Sequence, residues 1–200
     1  MTDTRERIVD ATAVLFQRAG YTGTGLKQIA AESGAPMGSL YHFFPGGKEE
    51  LAASALLASG VGYRLLIEAV LDGATDYVTG VADVFAGAAE ALRLSDYADA
   101  CPIATVALEV ASTNDTLRLV TAEVFEDWIN TGVHRGVEAG LSAAAARDFA
   151  IFFIAALEGG FLLCRAAKST DPMAAIGRAV VDRLRAELSP TSPAGRGRRR

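Results

Sequence analysis

Apolar side chains recur at three- and four-residue spacing along nearly the whole chain, and strict alternation never persists for more than a few residues. Helices and no sheet follow from that period. Ile8, Thr12, Leu15, Phe16 and Ala19 form one stripe of a first helix, which Gly20 stops. A short helix starts at Thr24 or Gly25, continues through Ile29, Ala30 and Ser33, and stops at Gly34. Pro36 suits the first turn of a third helix, where its missing N–H costs nothing; that helix runs to about Phe44, and Pro45-Gly46-Gly47 ends it. From Lys48 the helices lengthen, and the spacing predicts 48–71, 75–95, 102–113, 115–140, 143–168 and 171–188, the last with Asp171 as its N-cap. The expected architecture is all-α, about nine helices, with a three-helix unit over 1–47, a helical body over 48–188 and a Pro/Ser/Gly-rich, then basic, disordered tail over 189–200.

Composition narrows the class. Half of the 200 residues are apolar, enough for a folded core. The N-terminus is charged and lacks the apolar segment of a secretory signal. The run Phe149–Cys164 is interrupted by Glu158 and two glycines and falls short of the ~20 apolar residues of a membrane span. A cytoplasmic location and no membrane partner are expected. Cys101 and Cys164 stand far apart with no partner spacing, against a disulfide framework, a metal site or any cofactor. With two histidines, His42 and His134, no phosphate loop and no Ser-His-Asp candidate, the chain offers no enzyme's machinery. The net charge of −5 is unevenly spread: residues 1–50 carry five Lys/Arg against six Asp/Glu, residues 51–195 ten against eighteen, and the last five residues add four positive charges. A near-neutral N-terminal unit thus sits on an acidic body.

Within that unit, the short helix 26–33, the Gly34-Ala35 turn and the second short helix from Pro36 make a helix-turn-helix. Leu15 and Phe16 are expected to floor it, with Ile29, Ala30 and Leu40 packed above and Phe44 in the core. Met37, Gly38 and Tyr41 share the exposed side of the second helix, which can enter a major groove with its N-terminal residues toward base edges. Tyr41 and His42 can donate to phosphate, Gly38 allows close approach, and Thr24, Lys27 and Arg5 can reach the backbone. Lys48 sits at a helix N-terminus, where a cation opposes the dipole and an anionic partner resolves the conflict.

GYTGTGLKQIAAESGAPMGSLYHFFPGGKEEL strongly resembles the DNA-binding domain of TetR/AcrR-family transcriptional regulators. The Gly-Tyr end of helix 1, the Ile-Ala of helix 2, the Gly before the recognition helix, its Gly-Ser-Leu-Tyr core and the Lys-Glu-Glu-Leu start of helix 4 carry the likeness. The Thr-Gly-Leu opening and the Phe-Pro-Gly-Gly-Lys link are similar to the LmrA/YxaF-type branch. The close likeness covers residues 5–55 and continues more weakly through Cys101–Ala104 and Ala156–Ala166. It implies a double-stranded DNA partner contacted by Thr24, Gly25, Lys27, Ala35, Pro36, Met37, Gly38, Ser39, Tyr41, His42 and Lys48. Three positions depart from the family pattern: Gly25 for a Ser or Thr cap, Met37 for a guanine-reading Lys or Arg, and Phe43 for a His. A helical binding protein of the same fold without strong DNA binding is the alternative.

The resemblance also implies a C-terminal domain that dimerises and binds a small molecule. The helix over 143–168 is apolar around most of its girth and must be covered on several sides. Phe149, Ala156, Gly160 and Leu163, with Ile176, Val180 and Leu184 of the last helix, are the expected four-helix dimer interface. The pocket is expected between the helices over 75–95, 102–113, 115–140 and 143–168, lined by Phe85, Leu92, Leu108, Phe125, Trp128, Ile129, Phe152 and Phe153. Glu109, Asn130, His134 and Glu158 are its candidate polar anchors. Such a lining suits a hydrophobic or aromatic effector that releases a homodimeric repressor from a palindromic operator.

Overall fold

A computed structural model describes residues 3–189, and the tail from Pro190 onward lies outside the described residues. Nine helices make up the fold among those residues: α1 (Thr4–Ala19), α2 (Leu26–Ser33), α3 (Met37–Phe43), α4 (Gly47–Gly73), α5 (Tyr77–Leu94), α6 (Pro102–Val110), α7 (Asp115–Glu138), α8 (Ala143–Ala167) and α9 (Asp171–Leu188). The periodic pattern finds all nine, and local hydrogen bonding trims their ends. Asp76 accepts from the Thr79 amide at 2.9 Å, which delays the start of α5 to Tyr77. Asn114 accepts from the Leu117 amide at 2.9 Å, and this cap ends α6 early, at Val110 rather than 113. Pro36 is the N-cap of α3 with an extended ψ of 145° rather than a residue of its first turn. Thr170, not Asp171, caps α9; Asp171 stands in the first turn, where its charge complements the dipole.

Three buried clusters hold these helices together. The first joins α1, α2 and α3 to the start of α4: Ile8, Leu15, Ile29, Ala30, Leu40 and Phe44 pack with Leu51 and Ala55. The second centres on Phe16, Ala52, Leu56, Ile103, Val106, Leu117 and Val124, so it fastens α1 and α4 to α6 and α7. Phe16 therefore belongs to this joint and not to the floor of the helix-turn-helix. The third holds Val81, Phe85, Leu92, Phe149, Cys164, Met173, Val180 and Leu184 between α5, α8 and α9. Burying a Phe or Leu side chain contributes about 1.5–3 kcal/mol, so each cluster is worth several such terms before chain entropy is subtracted.

Helix α4 enters the first two clusters and walls a cavity beyond them. A division at residue 47 would cut it from the N-terminal core that its first two turns complete. Both α4 and α8 are long and apolar enough, by length and composition, to cross a membrane. In this fold α8 packs against α7 and α9, and α4 against α5 and α7.

Candidate nucleic-acid interface and ligand cavity

The turn between α2 and α3 depends on Gly34, which takes a left-handed conformation (φ 62°, ψ 22°) and donates back to Ala30 and Ala31. Arg7 of α1 reaches over the same helix end, donating Nη1–H to the Ser33 carbonyl at 3.2 Å. With Leu40 and Phe44 buried beneath, α3 is held at the surface with its other side outward. A Cβ at Gly34 would meet only the Arg7 guanidinium, in ordinary contact at 3.7 Å, so Gly34→Ala incurs mainly the left-handed penalty, and we expect it to lower stability by about 1 kcal/mol. Urea unfolding followed by circular dichroism measures this, and an unchanged midpoint contradicts it.

Pro36, Gly38, Tyr41, His42, Gly25 and Lys27 are exposed on the outward face, and Ser39 is half-buried. Tyr41 is 56% exposed, and a Cβ added at Gly38 would meet nothing. Arg5 stands over the Phe44 ring, 5.3 Å from its centroid, at the edge of this face. Lys48 lies half-buried with Nζ 4.2 Å from the Tyr21 ring centroid; burial lowers its pKa, against the pull of Glu109.

Three of the sequence-predicted contacts are corrected. Thr24 is fully buried, its hydroxyl donating to the Gly20 carbonyl at 2.7 Å, so it presents no hydroxyl to phosphate. Ala35 is buried in the first cluster, because the chain turns inward after Gly34. Met37 is half-buried against the same cluster beside Leu26 and Phe43, so its thioether is not free on the exposed side.

An apolar cavity of about 410 Å³ lies between α4, α5, α7 and α8, with Ala100 and Cys101 at one end. Leu92, Trp128 and Phe153 line it as expected. The other five predicted lining residues do not. Leu108 is 82% exposed on the outer side of α6. Phe125 packs in the second cluster at 5.6 Å from Trp128. Phe85 is turned toward Gly177 of α9, Phe152 lies under the Arg183 guanidinium, and Ile129 falls on a half-buried face of α7 away from the cavity. Of the polar candidates only Glu158 reaches the wall. Glu109 instead accepts from the Thr22 amide at 2.7 Å, His134 faces Glu138 outside, and Asn130 is exposed.

Sequence reasoning missed the α4 wall: Tyr63, Leu66, Ile67, Val70 and Leu71. The signal was present in the length of α4, whose apolar positions outnumber those one core can cover. Gln17 of α1 also reaches the cavity, donating Nε2–H to the Tyr63 hydroxyl at 2.6 Å. Trp128 is fixed by its indole N–H to the Gly60 carbonyl at 2.9 Å. Desolvation sets the electrostatics here. It pushes Glu158 up to about 7, against the stabilising contact of the Cys101 thiol, and it pushes Tyr63 to about 12. Burial also raises Cys101 well above the ordinary thiol range, so this sulfur is a packed apolar group and not a reactive thiolate.

The dimer residues predicted on α8 and α9 divide in two. Phe149, Gly160, Val180 and Leu184 are buried inside the single chain, where α8 packs on α9 and Met173 covers Gly160. They cannot be offered to a second copy. Leu163 is exposed, as are Ile151 and Leu162, while Ala156 and Ile176 are half-buried.

Comparison with known proteins adds to this geometry. Residues 8–55 match the family described as bacterial regulatory proteins, tetR family, and residues 78–179 match the transcriptional regulator LmrA/YxaF-like C-terminal domain. The chain is 33% identical over 183 residues to the HTH-type transcriptional regulator LmrA of Bacillus subtilis, covering 92% of this chain and 97% of that protein. It is 34% identical over 178 residues to the HTH-type transcriptional regulator YxaF of the same organism, covering 89% of this chain and 93% of that one. The fold is shared with a crystal structure of the regulatory protein TetR from Rhodobacter sphaeroides, with a TM-score of 0.81 at 20% identity over 90% of this chain and 97% of the other.

Proposed function

The chain belongs to the TetR family of regulators, in its LmrA/YxaF-like branch, and is a DNA-binding transcriptional regulator rather than an enzyme; we propose that it is a homodimeric repressor that a small hydrophobic effector releases from a palindromic operator. The observation that carries the switch is the position of Gln17. It belongs to the first helix of the DNA-binding unit, yet its side chain bonds to Tyr63 in the cavity wall. Any occupant that moves Tyr63 pulls on α1 directly.

Three further contacts run between the two parts. Arg18 meets Asp99 at 2.8 Å, the Thr22 amide donates to Glu109 at 2.7 Å, and Asn114 donates to Glu49 at 2.6 Å. Together with the Phe16 cluster they make α6 and the first half of α4 a stiff joint with two ends. In a dimer built on the exposed side of α8 around Ile151, Leu162 and Leu163, two α3 helices present Gly38, Tyr41 and His42 to successive major grooves ~34 Å apart. An effector that binds best to a tilted α4 shifts the population away from that spacing, and one without such a preference shifts nothing.

Fluorescence anisotropy on duplexes from the region upstream of its own gene tests this reading. Tight binding should fall steeply with salt, and Lys48→Ala should weaken it roughly tenfold while lowering the salt slope by about one phosphate. Binding that is weak and insensitive to salt supports instead a ligand-binding protein that keeps the fold without reading DNA.

A further inference from the structure

We propose that the cavity takes a lipophilic cation, a flat aromatic amine or quaternary ammonium, with its positive charge seated against Glu158. This rests on the effector reading above and specifies its chemistry.

The apolar part of such a ligand is met by the rings of Trp128, Phe149, Phe153 and Phe161, in a space of about 410 Å³ that suits a small aromatic molecule. The charge is decided by which wall groups already have partners. Arg64 donates Nη1–H to Glu68 at 3.0 Å, and its Nε lies 3.0 Å from Asp127 without hydrogen-bond geometry, its charge thus being met by two carboxylates; Arg135 holds Asp72 at 2.8 Å. Asp99 is taken by Arg18 at 2.8 Å. Glu158 is largely buried, and among the described residues no lysine or arginine comes within ion-pair distance of it. Its neighbours at that end are the Cys101 thiol, the Tyr63 hydroxyl and Asp99. An anionic ligand meets the carboxyl groups of Glu158 and Asp99 there. A neutral one leaves a desolvated carboxyl as it was. A cation supplies the missing counter-charge, and ring faces attract quaternary ammonium groups further.

Burial pushes the Glu158 carboxyl up to about 7, so a cation that binds its ionised form expels a proton at pH 6 and almost none at pH 8. The other ionisable groups of the wall are Tyr63 and Arg64 from α4, Tyr77 and Asp83 from α5, Asp99 and Cys101 ahead of α6, and Arg135 from α7. Of these, Tyr63, Tyr77 and Cys101 are held neutral by burial.

Calorimetric titration of the full chain with trimethyl(naphthylmethyl)ammonium and with naphthylmethanol, its uncharged counterpart, tests the assignment. Affinity for the ammonium should rise about tenfold from pH 6 to pH 8, with proton release at the lower pH, and naphthylmethanol should show neither. Glu158→Gln should weaken the ammonium about 30-fold and abolish its pH dependence. Unchanged naphthylmethanol affinity in that variant shows that the cavity is intact. Equal binding of both probes, or equal loss of both in Glu158→Gln, overturns the proposal. If naphthylmethanol binds and releases DNA while the ammonium does neither, only the charge assignment fails. If neither probe binds and neither releases DNA, the effector reading fails with it.

Discussion

Replacing Gly20 with alanine is expected to destabilise the protein by about 3 kcal/mol or more, a drop in Tm of roughly 6–12 °C for a chain of this size. Two costs combine. Gly20 follows α1 with φ 67° and ψ −173°, a region that L residues rarely enter and that costs about 1–3 kcal/mol when forced. A Cβ there would also overlap the Glu109 carboxylate, which accepts the Thr22 amide. Moving Glu109 aside leaves that amide without its partner and loosens α6 from the end of α1. Gly62→Ala is the control. It lies exposed within α4 with nothing near its Cβ, so better helix propensity should raise stability by about 0.5–1 kcal/mol. Equal midpoints for the two variants in urea unfolding would show that the Gly20 junction carries no such strain. Because the junction joins the DNA-binding unit to α6, Gly20→Ala should also weaken operator binding more than its stability loss alone explains.

On the proposed repressor reading, Gly87→Phe should yield a protein that stays on its operator whatever effector is added. Gly87 lines the cavity from α5 beside Val84, Ala88 and Ala91, and an added Cβ meets no neighbour. A benzyl group at that position takes up space an effector needs, while glycine-to-side-chain replacement favours the helix. The expected result is at least a 30-fold loss of effector affinity, about 2 kcal/mol, with operator affinity within twofold of the unaltered protein. Titrating effector into the protein–operator complex under anisotropy reads both quantities at once. Normal release by the Gly87→Phe protein would place the effector somewhere other than this cavity. Loss of both activities would point to a distorted bundle and is checked by the thermal midpoint.

The helix-turn-helix was legible because its signals are local. Gly20, Gly34 and Pro45-Gly46-Gly47 punctuate three short periodic segments, and each break is a backbone event that the residue itself dictates. Exposure of Tyr41, His42 and Lys27 followed from helical phase alone. Phase was not enough for Thr24 and Ala35, which lie at the ends of elements. There the chain direction, and with it the side chain, is set by the next packed helix.

The cavity was much less legible. Of the five large aromatics that periodicity offers as lining, Phe85, Phe125 and Phe152 pack against other helices and only Trp128 and Phe153 reach the cavity. A helix wrapped on three sides has no single apolar face, so periodicity does not say which neighbour a given ring meets. For the same reason periodicity offers Phe149, Val180 and Leu184 to a dimer interface, whereas they are core residues of one chain. The small residues that make the cavity possible, Gly87, Ala88, Ala91, Gly132 and Ala150, drew no notice, because an empty volume is produced by side chains that are missing.

By itself, then, the amino-acid order determined nine helices, their breaks, a DNA-reading unit and the family likeness, all of which rest on interactions between residues a few positions apart. Only the tertiary structure decided that α4 walls the cavity, that Gln17 touches Tyr63 across 46 positions of chain, and that Glu158 alone among the proposed anchors faces inward without a cation. Those facts depend on how long helices rotate about their own axes when several compete to cover one another, a choice made by packing over the whole bundle.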